Sequence, residues 1–278
     1  MPVRVVTDSA SDLPAELIAR HEITVVPLDV RLGDYDVAEM RRIDPAEFWR
    51  RAGASDALAE TSAPSPGAFR DAFLAARAQG CDGAVCVTIS SRLSATYQAA
   101  SAGATEVGDA IAVEVVDSRF ATMGEGLLVL EAAERAARGE TAAQIARGVR
   151  EAIADVATLG TLDTLDFLRR GGRIGTAQAL VGSLLSIKPV VEVRDGAVEG
   201  ESRQRTRARS FRYLADKVAA LAPVKRLAVV HAAAPDLGEF LALLAELDLG
   251  VEPIVSYIGP VIGAHTGPGT VGVCVQRA

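Results

Sequence analysis

His265 is one of three histidines in the chain and lies in the run Gly259-Pro260-Val261-Ile262-Gly263-Ala264-His265-Thr266-Gly267-Pro268-Gly269-Thr270. Glycines and prolines around a histidine, between two strands, predict a rigid loop that brings backbone close to a bound group. An imidazole there donates to a carboxylate or exchanges a proton with it; a turn histidine satisfied by backbone is the plainer alternative. Four hydroxyl-bearing stretches precede it: Thr7-Asp8-Ser9, Thr61-Ser62-Ala63-Pro64-Ser65-Pro66, Ser90-Ser91-Arg92-Leu93-Ser94 and Asp117-Ser118. Hydroxyls at the starts of helices, with few basic neighbours, suit a small singly charged acceptor such as a carboxylate. Ordinary capping also explains any one of them, and Ser65, with Ser11 or Asp12, reads as a helix cap.

Two groups of cations stand out. Arg169-Arg170-Gly171-Gly172-Arg173-Ile174-Gly175 sets charge beside permissive backbone, a plausible phosphate contact. Arg203, Arg205, Arg207, Arg209 and Arg212 form the strongest charge cluster, and Arg205, Arg209 and Arg212 share a face if their helix starts early enough. Cations at a helix N-terminus oppose its dipole, which points to an anionic partner; the alternative is a solvated face paired with Glu199 and Glu201. His21 and His231 read as structural. Cys81, Cys86 and Cys274 show neither CxxC nor Cys/His metal spacing and read as reduced, buried thiols. No Walker A sequence, no GxGxxG after the first strand and no GxSxG elbow occurs, so nucleotide binding by this chain is not expected.

These residues need a scaffold, and the chain alternates short β-branched runs with helical patterns. Strands are expected at Val3 to Thr7, Ile23 to Val30, Ala84 to Ile89 and Ala112 to Val116. Helices are expected from near Pro14, around Ala46 to Ala52 with Trp49, and from Ser65-Pro66 to a stop at Gly80. Strand, polar turn and helix recur in the manner of a mainly parallel sheet. After about residue 155 the pattern changes to a strand at Ala157 to Leu162, a hairpin turning at Asp195-Gly196 and a charged helix at about 206 to 221. Strands at Leu227 to His231, Val251 to Tyr257 and Thr270 to Val275 follow, with a helix at Leu237 to Leu247. A domain boundary near residue 155 is the natural division.

With 278 residues, 49% hydrophobic and 23% charged, the chain is globular and long enough for two α/β domains. Aromatic residues are only 4%, so aliphatic side chains must form the core and any long pocket. A net charge of -7 argues against nucleic acid as the main partner. The N-terminus shows no signal-peptide pattern and no apolar run is long enough to span a bilayer, which predicts a cytoplasmic protein without an integral membrane segment.

Taken in order, the motifs resemble those of the DegV family over nearly the whole chain. They are Thr7-Asp8-Ser9 with Asp12-Leu13-Pro14, Thr61 to Pro66, Ile89 to Tyr97, Val116-Asp117-Ser118, and Leu162-Asp163-Thr164-Leu165 with Gly171 to Gly175. Leu184-Leu185-Ser186-Ile187-Lys188-Pro189, Arg205-Thr206-Arg207 and Gly263 to Gly269 complete the series. The resemblance implies two α/β domains, 1–155 with a mainly parallel sheet and 156–278 with a mixed sheet, and a lipid pocket between or beside them. It implies a non-catalytic, FakB-type subunit that binds a long-chain fatty acid and presents its carboxylate to a separate ATP-binding fatty acid kinase subunit. The product would be acyl phosphate for phospholipid synthesis. By the same likeness Thr61 and Ser94, with Ser62 nearby, hydrogen-bond the carboxylate and His265 completes the network. Arg173 and Arg205 would face the kinase or the phosphoryl group, and no cofactor or metal is implied. The chain departs from the family at Ala95, where glycine is usual, and at Val198-Glu199-Gly200-Glu201, which lacks a proline often found after the hairpin.

Burying about 15 methylenes at roughly 0.8 kcal/mol each releases on the order of 12 kcal/mol before ordering costs, enough for a tight lipid carrier. Two other readings are a stand-alone serine hydrolase using Ser94, His265 and Asp117 and a lipid-sensing regulatory protein.

Overall fold

The computed structural model describes residues 2–40, 42–54, 59–180 and 187–278. Of the expected motifs, Leu184, Leu185 and Ser186 lie outside the described residues, while Lys188 and Pro189 open a strand. Among the described residues, twelve strands run in chain order: β1 Val3–Asp8, β2 Thr24–Val26, β3 Asp29–Leu32, β4 Ala59–Ser62, β5 Gly83–Thr88, β6 Ala112–Asp117, β7 Val156–Thr161, β8 Lys188–Arg194, β9 Ala197–Gln204, β10 Val224–His231, β11 Ile254–Tyr257 and β12 Val271–Arg277.

The first sheet has the order β2-β1-β5-β6 and every pair in it is parallel. β5 is buried along its whole length, as a central parallel strand covered on both faces must be. Helices Pro66–Ala78 and Thr96–Val107 cover one face, where Phe69 and Phe73 meet Val6 and Cys86. Helix Met123–Ala137 covers the other with an unbroken buried stretch from Met123 to Ala133.

The second sheet runs β11-β10-β12-β7-β8-β9. It is mixed, because β10 and β11 are parallel whereas the remaining pairs are antiparallel. Side chains alternate across it. Leu227, Val229, Val273 and Val275 pack with Phe211, Leu214 and Phe240 on helices Arg207–Ala220 and Leu237–Ala245. Ala228, Val230 and Cys274 face the other way and join one apolar cluster with Val5, Val85 and Leu127. This shared cluster ties the two sheets together.

The expected single strand from Ile23 to Val30 is instead two strands in different sheets, since β3 pairs antiparallel with β4. Pro27 separates them, lacking the N–H that a continued ladder needs. Neither Ser11 nor Asp12 caps the first helix. Pro14 occupies the N-cap of Ala15–Arg20 without a side-chain bond, and Ser11 donates to the Asp8 carbonyl at 2.9 Å. Ser65 does cap its helix, accepting from the Ala68 N–H at 3.2 Å. The run from Gly259 to Thr270, expected as a loop, contains the helix Pro260–Thr266, with proline in its first turn where no N–H is required.

Candidate functional site

The segments that follow β5 and β6 face β7, β8 and β9 of the mixed sheet, and a cavity of about 220 Å³ lies at this junction. Leu28, Ile89 and Ala121 line it from the parallel sheet; Leu159, Val191, Val193, Val198 and Val230 line it from the mixed sheet. The hairpin that supplies Val193 and Val198 is fastened at its turn, where Ser90 Oγ donates to the Gly196 carbonyl at 2.6 Å and Arg92 to the Asp195 carbonyl at 2.8 Å.

Polar side chains enter this apolar surface chiefly as Thr61, Ser62, Ser94, Arg173 and His265. Thr61 sits on β4 opposite Val30, and its Oγ1 lies 2.9 Å from His265 Nε2. His265 belongs to the last turn of helix Pro260–Thr266, which is held by Trp49: the indole N–H donates to the Ile258 carbonyl at 2.7 Å. A Cβ on Gly263 would stand 2.6 Å from the Trp49 ring, so the helix and the tryptophan are in direct contact there. Burial, with the Arg173 charge adding to it, pushes the His265 imidazole down to about 4, so it is neutral near pH 7. Its Nδ1 is buried, without a partner among the described residues, against Gly171, where an added Cβ would come within 2.1 Å. Ser94 Oγ pairs with Thr96 Oγ1 at 2.8 Å. Arg173 is half-buried and folded inward, donating to the carbonyls of Leu93 at 3.1 Å and Gly171 at 2.6 Å.

The other hydroxyl stretches are committed to the loops that carry them. Ser9 Oγ accepts from the Leu28 N–H at 3.0 Å, and Ser118 Oγ donates to the Phe120 carbonyl at 3.2 Å. Asp117 accepts from the N–H groups of Ser91 at 3.2 Å and Arg119 at 2.9 Å. A Ser94–His265–Asp117 relay is therefore not assembled: each of the three has different partners among the described residues. Ala95 lines the cavity with φ -75°, a conformation any L-residue adopts, so glycine is not needed there for backbone reasons.

Arg205 is exposed and precedes helix Arg207–Ala220, which Thr206 caps by accepting from the Arg209 N–H at 3.3 Å. It consequently does not share a helical face with Arg209 and Arg212. Glu199 and Glu201 pair with Arg194 and Lys217 rather than with the arginine cluster. Arg207 is bound inward instead, to Asp236 at 2.9 Å and to the Gly269 carbonyl at 2.5 Å, behind the His265 segment.

Sequence reading missed an acidic group beside the cavity. Asp8, Asp12 and Glu125 are all buried. Burial raises Asp8 to about 6 and Asp12 to about 7, and raises Glu125 well above the carboxylate range. Asp12, at φ 51°, accepts from Thr122 Oγ1 at 2.6 Å and from the Gly259 N–H at 2.9 Å. Gly259 caps the His265 helix, so Asp12 anchors that helix to the first sheet. The sequence signal was Glu125, an acid within the apolar first half of its helix, Met123 to Leu130. Among the described residues there is no cluster suited to a metal ion and no helix long and apolar enough to cross a membrane.

A family model described as an uncharacterised protein of the DegV family matches residues 2–278. A DegV domain-containing protein of Streptomyces coelicolor is 39% identical, over 99% of this chain and 98% of its own length. One solved structure, described as showing fatty acid binding by a DegV family protein of Thermus thermophilus, superposes with a TM-score of 0.88 at 32% identity, covering 100% of both chains. Another, described as DegV, a fatty acid binding protein from Bacillus subtilis, gives a TM-score of 0.88 at 30% identity over 99% of each chain.

Proposed function

Because the chain belongs to the DegV family, we propose that it binds one long-chain fatty acid in the junction cavity and presents its carboxylate to a separate ATP-dependent kinase subunit. The observation that carries this reading is the division of the cavity wall. Aliphatic side chains make most of it, while Thr61, Ser62, Ser94, His265 and Arg173, together with Thr122, Thr158, Thr266 and Thr270, supply its polar groups. The hydrocarbon gains from burial at roughly 0.8 kcal/mol per methylene, and the head group takes hydrogen bonds from neutral donors.

In this reading Thr61 and Ser94 donate to the carboxylate, with Ser62 beside them. Neutral His265 donates from Nε2 to Thr61 Oγ1, aligning the threonine proton toward the ligand. That tautomer leaves Nδ1 as the unpartnered atom, an acceptor rather than a donor. Neutral hydroxyls keep the carboxylate oxygens nucleophilic toward a phosphoryl donor, whereas a bidentate arginine would hold both. Arg173, fixed to Leu93 and Gly171, provides positive potential for a developing phosphate without clamping the carboxylate. Exposed Arg205 offers a contact to the kinase. The chain performs no chemistry alone, and acyl phosphate formed in the cytoplasm would supply phospholipid synthesis. We assign 1–155 and 156–278 as its two domains, on the ground that the mixed sheet begins with β7 at Val156.

Mass spectrometry of lipid released from the denatured, purified protein tests the ligand class. About one long-chain fatty acid per chain is expected. Absence of such lipid, together with no uptake of added palmitate, would refute the reading. Reconstitution with ATP and a kinase subunit should then yield acyl phosphate.

A further inference from the structure

The junction cavity shares a wall with a second cavity of about 410 Å³, and the side chains of Leu28 and Val261 line both. The second cavity lies between the segment bearing Met40 and Ile43, the first helix at Ile18, and the edge strand β11 at Val255 and Tyr257. Its acids are already engaged. Asp12 accepts from Thr122 and Gly259, and Asp44 accepts from the N–H groups of Ala46 and Glu47. What remains exposed to an occupant is mainly aliphatic, which suits hydrocarbon rather than a polar ligand.

The shared wall is buried and well fixed. Leu28 and Val261 are 3% and 5% exposed. The Leu28 backbone is tied to Ser9 Oγ, and Val261 lies one helical turn before His265 on the same helix. The wall therefore stands close to the polar group, alongside the path of a chain whose head is held by Thr61 and His265.

We propose that Leu28 and Val261 form a partition that sets how much hydrocarbon the ligand can carry. With both side chains intact, an acyl chain is confined to the junction cavity. Shortening either one joins the cavities and opens additional apolar space to a longer chain. This inference rests on the fatty-acid reading and deepens it by naming the residues that select chain length.

The test compares binding of palmitate and arachidate to the wild-type chain, Leu28→Ala, Val261→Ala and the volume-conserving Leu28→Ile. The affinity ratio of arachidate to palmitate is expected to rise about tenfold in the alanine variants, the gain from some two additional buried methylenes. Leu28→Ile should keep the wild-type ratio. Using a ratio cancels any general loss of folded protein, and Val261→Ala carries the test if Leu28→Ala does not fold. Palmitate binding with an unchanged ratio in the alanine variants would overturn the partition alone. A wild-type chain that binds neither acid would overturn the fatty-acid reading and the partition with it.

Discussion

At the scale of single residues, the central contact is the Thr61–His265 pair, two side chains 204 positions apart and 2.9 Å from each other. Thr61→Val and Ser94→Ala should each weaken fatty-acid binding about tenfold, the usual worth of a hydrogen bond to a charged group. Isothermal titration checks this, and isotherms matching wild type would remove the residue from the site. Gly171→Ala should act in the same direction without removing any polar group, because its methyl would fall 2.1 Å from His265 Nδ1 and displace the ring. If affinity survives that substitution, the position of the imidazole is not what holds the head group. His265 and the hydroxyl motifs were legible as candidates from residue types alone. Their convergence was not, since no local spacing encodes a contact between β4 and a helix near the other end of the chain. The likeness to a family, rather than periodicity, singled out Thr61 and Ser94 from the other hydroxyls.

Among the secondary elements, the short helix Pro260–Thr266 matters most, and its main tether is Asp12. Asp12 titrates near 7 in the folded chain against an ordinary value near 3.8. Between these values the folded state binds more protons than the unfolded state, so stability falls as pH rises through roughly 4 to 7. His265 acts oppositely: its lowered value makes stability rise with pH between about 4 and the ordinary 6.5. Asp8 and Glu125, also raised by burial, act in the same direction as Asp12; Asp12→Asn mimics the protonated acid and should remove the Asp12 contribution while leaving theirs. Denaturant melts at pH 5 and pH 8 should therefore show the variant losing less stability than wild type on going to the higher pH. An identical loss would mean that Asp12 does not titrate in this window. Sequence periodicity anticipated the long elements but not this helix, because glycines and prolines at Gly259, Pro260 and Gly263 mask a helical turn that is stabilised from outside by Trp49 and Asp12. The break at Pro27 is readable from the residue type alone, whereas the pairing of β3 with β4 depends on tertiary placement.

Considered whole, the molecule sets two unlike sheets against each other, and the strand patterns on either side of residue 155 already distinguished them. The parallel sheet offers the carboxyl ends of its strands, the usual place for a ligand in α/β folds, and the mixed sheet supplies an aliphatic wall. Arg205 lies outside this junction, on the surface. Arg205→Ala should leave lipid affinity unchanged and lower the rate of phosphorylation by a cognate kinase several-fold in a reconstituted assay. Unchanged turnover would free Arg205 of a docking role. The composition hinted at the cavity through its scarcity of aromatic residues, but the partition at Leu28 and Val261 belongs to packing and left no trace in the chain's pattern.

Trp49 is the only tryptophan, and its indole lies on the helix that bears His265, against Gly263. The chain thus carries a fluorophore beside the helix that holds His265. A shift of that helix on loading or unloading would alter the colour and brightness of ultraviolet emission from a single, assignable source. Occupancy is then readable by light in an unlabelled sample, in real time and without attaching a dye.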